Sequence, residues 1–223
     1  MSSTDSGNRL SLGSLILVPA LITLAVTILR LEGELHHWSK LFFSNAAGGG
    51  GALVGISWLA PVFGIYFALK LAGANERPES LGKSIGFTLL GLVVMVGGGI
   101  LMGLSFTRGY AMLAGGLILL AAAALIPLAG WPALTKTLIA YGYAARIPVA
   151  IVMFLAIRGS WGTHYDAAPP NFAEMSFWPK YLLLGFFPQL ILWIAFTVIT
   201  GSLLGAIAVA IFRRQKQTAP ATS

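Results

Sequence analysis

LTKTLIAYGYAARIPVAIVMFLAI, residues 134–157, decides what kind of protein this is. The run is long enough to cross the hydrocarbon core of a bilayer, which takes about 20 apolar residues. Near its middle stands Arg146, with Pro148 two residues on and no acid anywhere in the stretch. An arginine at that depth costs about 2.5–3.5 kcal/mol on insertion scales and marks a functional position by default. Three partners would satisfy it: an anionic solute, a lipid phosphate reached by snorkelling, or the carbonyl of Ala144, which Pro148 leaves without its helical donor. Tyr141 and Tyr143 add hydroxyls on neighbouring turns. Arg146, Tyr141 and Tyr143 are therefore the candidate substrate-binding residues.

The rest of the chain agrees with a membrane setting. Of 223 residues, 57% are hydrophobic and 9% charged, against roughly 25% charged in a soluble domain. The net charge of +7 is spread over helix ends rather than gathered in a stripe, which fits anionic lipid headgroups at the inner face and not nucleic acid. Cysteine is absent, so disulfides, thiolate metal sites and cysteine nucleophiles are excluded. The first apolar run lacks a basic n-region before it and a small-residue cleavage site after it, and reads as a retained helix rather than a signal peptide.

Six segments qualify as spans: roughly 10–29, 52–72, 85–106, 111–130, 134–157 and 181–212. The expected fold is an all-α integral membrane protein, a six-transmembrane-helix bundle. It has a disordered tail over 1–9, a single polytopic domain over 10–212 and a basic, disordered tail over 213–223. Lysine and arginine in the short loops set the orientation. With the N-terminus inside, the inner face holds Arg9, Lys70, Arg77, Lys83, Lys136, Arg213, Arg214 and Lys216. The outer face holds the smaller set Arg30, Lys40, Arg108, Arg158 and Lys180. N-in/C-in follows, with both termini cytoplasmic in a bacterial inner membrane.

Both long connections, 30–51 and 158–180, fall on the outer face. In ELHHWSKLFF, Leu35, Trp38 and Phe42 share a helical face, as in a helix lying in the interface. In PPNFAEMSFW, Asn171 is placed to cap a short helix with Glu174, and Phe172, Phe177 and Trp178 fall at headgroup depth. AAGGGG, 46–51, is a flexible connector. All three histidines, His36, His37 and His164, lie on this face with Glu32, Glu34, Asp166 and Glu174. Glu32 and His36 are four apart and share a face if helical; His164 and Asp166 point the same way if their loop is extended. His164, Asp166, His36 and Glu32 are the candidate catalytic set for general acid–base chemistry. Their spacing matches no established metal-ligand pattern, and no cofactor is implied.

Gly99 with Gly103, and Gly201 with Gly205, form two GxxxG pairs that permit close helix packing and a homo-oligomer. Pro19, Pro61, Pro127, Pro148 and Pro188 place a proline in every predicted span but the third. No histidine, aspartate or glutamate falls within a predicted span, which argues against buried haem and a carboxylate relay. No nucleophile elbow, HExxH or P-loop is present. Three function classes remain. The first, preferred for Arg146 and the kinked helices, is a small-solute or anion carrier or channel. The second is a non-catalytic scaffold organising lipid or protein partners, and the third a membrane enzyme with the outer-face histidine and acids.

Overall fold

The computed structural model describes residues 11–169, 172 and 174–212, and the helix backbone on to 218. Helix α1 covers Leu12–Leu35, α2 Leu59–Gly73, α3 Leu81–Arg108, α4 Tyr110–Leu125 and α5 Pro132–Gly159. A long C-terminal helix begins as α6, Phe177–Tyr181, and ends as α7, Trp193–Thr218. Between them lie two widened π-type stretches, Leu182–Phe186 and Pro188–Leu192. No strand occurs among the described residues. Among the described residues, five helices are long and apolar enough to cross a membrane: Leu12–Leu35, Leu81–Arg108, Tyr110–Ala129, Pro132–Gly159 and Phe177–Phe212. This is a helical, multi-pass membrane protein.

The bundle is built around α7. It packs on α2, α3 and α5, while α3 and α4 form an antiparallel hairpin and α1 leans on α5. Phe67, Leu120, Leu134, Leu138 and Val198 meet in the core with no exposed surface. The outward-facing side chains are apolar too: Val18, Val93, Ile100, Ile118 and Ile151 are all more than half exposed, which suits a lipid solvent. Gly64 of α2 faces Gly201 of α7 so closely that an added Cβ would lie 2.2 Å from the Gly201 Cα, and one on Gly205 would lie 2.8 Å from the Gly64 carbonyl. The Gly201/Gly205 pair is therefore spent within the chain. Gly99 and Gly103 have open space around them.

Several sequence expectations need correction. The span expected at 52–72 begins as a helix only at Leu59, leaving a 15-residue apolar helix. Residues 46–58 are instead drawn into a loop with Gly48, Gly49 and Gly51 at positive φ, pinned where Leu53 and Val54 donate backbone bonds to Leu41 and Phe42. The interfacial helix expected over ELHHWSKLFF does not form. Instead α1 runs on through Arg30 to Leu35, and residues 36–43 turn back over its end, Trp38 N–H bonding the Gly33 carbonyl. Arg30, Glu32 and Glu34 are thus helix residues, not loop residues. Phe172 is buried against Phe106, near the end of α3. Its neighbour Asn171, the expected cap, lies outside the described residues, as do the N-terminal stretch 1–9 and the end of the basic tail. The backbone of α7 continues to Thr218, past the boundary expected at 212.

Candidate functional site

The buried face of α1 carries Thr23, Thr27, Arg30 and Glu34 at helical three- and four-residue spacing. Thr23 and Thr27 return their hydroxyls to the carbonyls four residues back. Arg30 and Glu34 make the i,i+4 pair that this spacing allows, Nε to Oε1 at 2.8 Å. The Arg30 Nη2 also donates to the carbonyls of Ser44 and Gly49, which ties the glycine-rich loop to α1. The Glu34 carboxylate is only 2% exposed. It accepts the backbone N–H of His164 at 2.7 Å and the His164 Nδ1 at 2.6 and 2.8 Å.

An ionised carboxylate only accepts, so Nδ1 of His164 carries the hydrogen. In the neutral imidazole, Nε2 is then the lone-pair nitrogen. That Nε2 bonds no atom among the described residues and is not sealed from accessible space, since Ser202 Oγ is the one fully buried side-chain polar atom left unpartnered among them. Burial holds the His164 pKa below its ordinary value, with the nearby Arg30 charge acting in the same direction; the Glu34 bond and the Glu34 and Asp166 charges oppose it. His164 is neutral at pH 7. Tyr165 beside it, bonded to the Thr27 carbonyl at 3.3 Å, has its pKa raised by burial and stays a phenol.

Deeper in the bundle, α5 buries Arg146 to 5% exposure. The guanidinium lies 4.4 Å from the Trp193 ring, and Nη1 donates to Gln189 Oε1 at 3.2 Å. Gln189 follows Pro188 in the second π-type stretch. Proline cannot supply the N–H of a regular turn, and such widened turns recur at functional sites. No carboxylate bonds Arg146 among the described residues. Its Nε and Nη2 make no bond to those residues either, and neither is fully enclosed. The two nitrogens left without a partner, Nε and Nη2, form the fork that pairs with both oxygens of a carboxylate.

One cavity of about 300 Å³ joins these groups. Arg30, His164, Tyr165 and Thr27 line it toward the connecting loops, and Arg146, Gln189 and Trp193 line it within the bundle. Ile56, Val149, Met153 and Leu184 supply apolar wall. Arg146 stands 13 residues before Gly159, about 20 Å along α5 at 1.5 Å per residue, so the cavity reaches well into the bundle. A second cavity of about 380 Å³ lies at the opposite end, among Glu76, Arg77, Lys83 and Trp131. Its charges of both signs belong to a solvated turn.

Arg146 and His164 are brought to one cavity; the other expected site residues are not among its lining. Tyr141 is buried between α1 and α5, sharing a 2.8 Å hydrogen bond with Thr23 Oγ1 and packing on Phe63 and Phe67. Tyr143 is exposed on the bundle exterior. Glu32 and His36 do share a face, at 3.3 Å, but both are largely solvent-exposed. Asp166 folds back to accept the N–H groups of Gly162 and Thr163 and the Thr163 hydroxyl; the loop is a turn, not extended. The carboxylate that meets His164 is Glu34. Arg30, Glu34, Gln189 and Trp193 were not singled out from the sequence, although continuing the Thr23–Thr27 period through Arg30 to Glu34 finds two of them. Among the described residues no group of three metal-ligating side chains gathers. The chain matches no protein-family model, no curated protein and no solved structure.

Proposed function

We propose that the protein is a carrier or channel for a small organic anion, and that the Arg146 cavity is its binding site. The observation that carries this is a buried guanidinium that lines a cavity, with Nε and Nη2 unbonded among the described residues and no carboxylate bonded to it. Arg30 is already neutralised by Glu34, so one cationic charge is left over inside the bundle. With apolar wall around it, that charge suits a monocarboxylate with a short hydrocarbon tail better than a polyanion. In this reading all six helices cross the bilayer, α2 as a short span of about 22 Å, both termini are cytoplasmic, and the cavity faces the outer side of a bacterial inner membrane. The Gly99/Gly103 face is left for a second copy or for lipid.

The test is binding of radiolabelled butyrate to the protein in nanodiscs of neutral lipid, with uptake into proteoliposomes alongside. Charged hydrogen bonds contribute about 1.5–3 kcal/mol, so Arg146→Gln is expected to weaken binding roughly 10- to 100-fold. Arg146→Lys, which keeps charge but not the fork, falls between. Equal affinity in wild type and Arg146→Gln refutes the reading. Loss of butyrate binding in nanodiscs containing phosphatidylglycerol, with a lipid retained on Arg146, identifies a headgroup as the occupant instead. A second reading, a membrane enzyme with His164 as general base, has the 2.6 Å contact with Glu34 in its favour. Conversion of a bound solute, lost in His164→Gln, would select it.

A further inference from the structure

Resting on that reading of the Arg146 cavity, we infer that the site takes up a proton together with its anion, and that Nε2 of His164 is the atom that receives it. The geometry assigns the role. Glu34 fixes the imidazole through Nδ1, so only Nε2 can change its proton. Nε2 is unbonded among the described residues and belongs to a side chain lining the same cavity as Arg146. In the neutral ring it presents a lone pair, which repels an anion. Once protonated it presents an N–H donor, and the imidazolium is held by the Glu34 carboxylate behind it.

Electrostatics points the same way. The groups around His164 are Glu34 and Arg30 from α1 and Tyr165 and Asp166 from its own loop, with Arg146 lining the same cavity from α5. Tyr165 stays neutral, Glu34 pairs with Arg30, and Asp166 is turned to the N–H groups of Gly162 and Thr163. The charge left over in the empty cavity, that of Arg146, disfavours a second cation on its wall. An anion on Arg146 cancels that charge and so favours the proton on Nε2, the more strongly in a setting of low dielectric. In sum the carboxylate ion binds, one proton passes from solution to Nε2, and no bond to carbon is made or broken. Binding and protonation are then linked, each raising the affinity for the other by the same factor.

Butyrate is fully ionised at pH 7, so a proton taken up with it there is taken up by the protein. In weakly buffered neutral-lipid nanodiscs, wild type is expected to absorb close to one proton per butyrate bound. Its affinity should rise up to tenfold for each unit of pH lowered, until His164 is already protonated in the empty site. His164→Gln should still bind butyrate, with no proton uptake and no pH dependence. Wild-type binding without proton uptake, at equal affinity between pH 5.5 and 7.5, overturns this inference and leaves the anion site standing. Butyrate binding unchanged by Arg146→Gln, or none in wild type at any pH, overturns the anion site itself and this inference with it. The wild-type proton count decides the matter even if His164→Gln does not fold.

Discussion

Replacing Glu34 by glutamine tests the cluster that closes the loop end of the cavity. Its carboxylate is 2% exposed and accepts from Arg30, from the His164 backbone and from the His164 ring. Glutamine keeps the shape but removes the charge and turns an NH₂ group toward donors. Arg30, itself 8% exposed, loses its counter-charge and keeps only neutral acceptors, the carbonyls of Ser44 and Gly49 among them. Removing one partner of a buried pair costs about 3–5 kcal/mol, because the other charge stays buried and uncompensated. At about 2–4 °C per kcal/mol for a chain of this size, the midpoint in thermal unfolding should fall by roughly 6–20 °C. The measurement is far-UV circular dichroism in mild detergent at neutral pH. The double variant Arg30→Met, Glu34→Gln removes both charges and should recover more than half of the loss. A single variant within about 1 kcal/mol of wild type, or a double variant no better than the single, would refute the assignment of this pair as the lock on the loop.

Other outcomes follow from the same packing. Gly64→Ala forces a Cβ to within 2.2 Å of the Gly201 backbone and should cost about 1–3 kcal/mol by overpacking, whereas Gly99→Ala, with open space around it, should be neutral or gain about 0.5–1 kcal/mol; equal effects in thermal melts would contradict the crossing. Tyr141→Phe loses the bond shared with Thr23, at about 0.5–1.5 kcal/mol, and should leave butyrate affinity unchanged; a drop in affinity would place Tyr141 at the site after all. Because the folded His164 pKa lies below 6.5, the unfolded chain binds a proton that the folded chain does not as pH falls past 6.5. His164 therefore contributes stability that is complete above pH 6.5 and is lost as pH falls toward the lowered value. Melting midpoints from pH 7.5 down to 5 should show this slope in wild type and a shallower one in His164→Gln.

The site was partly legible before any fold was known. Arg146 declares itself, because a guanidinium amid a long apolar run is conspicuous whatever its neighbours. Its partners were not legible: Gln189 lies 43 residues away and is unremarkable in sequence. The extent of α1 was misjudged because charges at Arg30, Glu32 and Glu34 end an apolar run in any reading based on hydropathy. In the fold, Arg30 and Glu34 continue the polar stripe of Thr23 and Thr27, turn inward and neutralise each other, so the helix goes on. The start of α2 was misjudged for the opposite reason: ALVG is apolar, but the glycines before it turn the chain, Arg30 holds Gly49, and Leu53 and Val54 donate to the Leu41 and Phe42 carbonyls, which keeps that backbone as a loop.

By itself the sequence determined the solvent. Long apolar runs and sparse charge place helices in lipid, since hydrophobic transfer is a local property that sums along the chain. Only the tertiary structure decided the chemistry. Glu34 and His164 are 130 residues apart, and a hydrogen bond acts over about 3 Å. Which acid meets which histidine, and which arginine is left unpaired beside them, depends on how α1, α5 and α7 pack, and no local pattern encodes that.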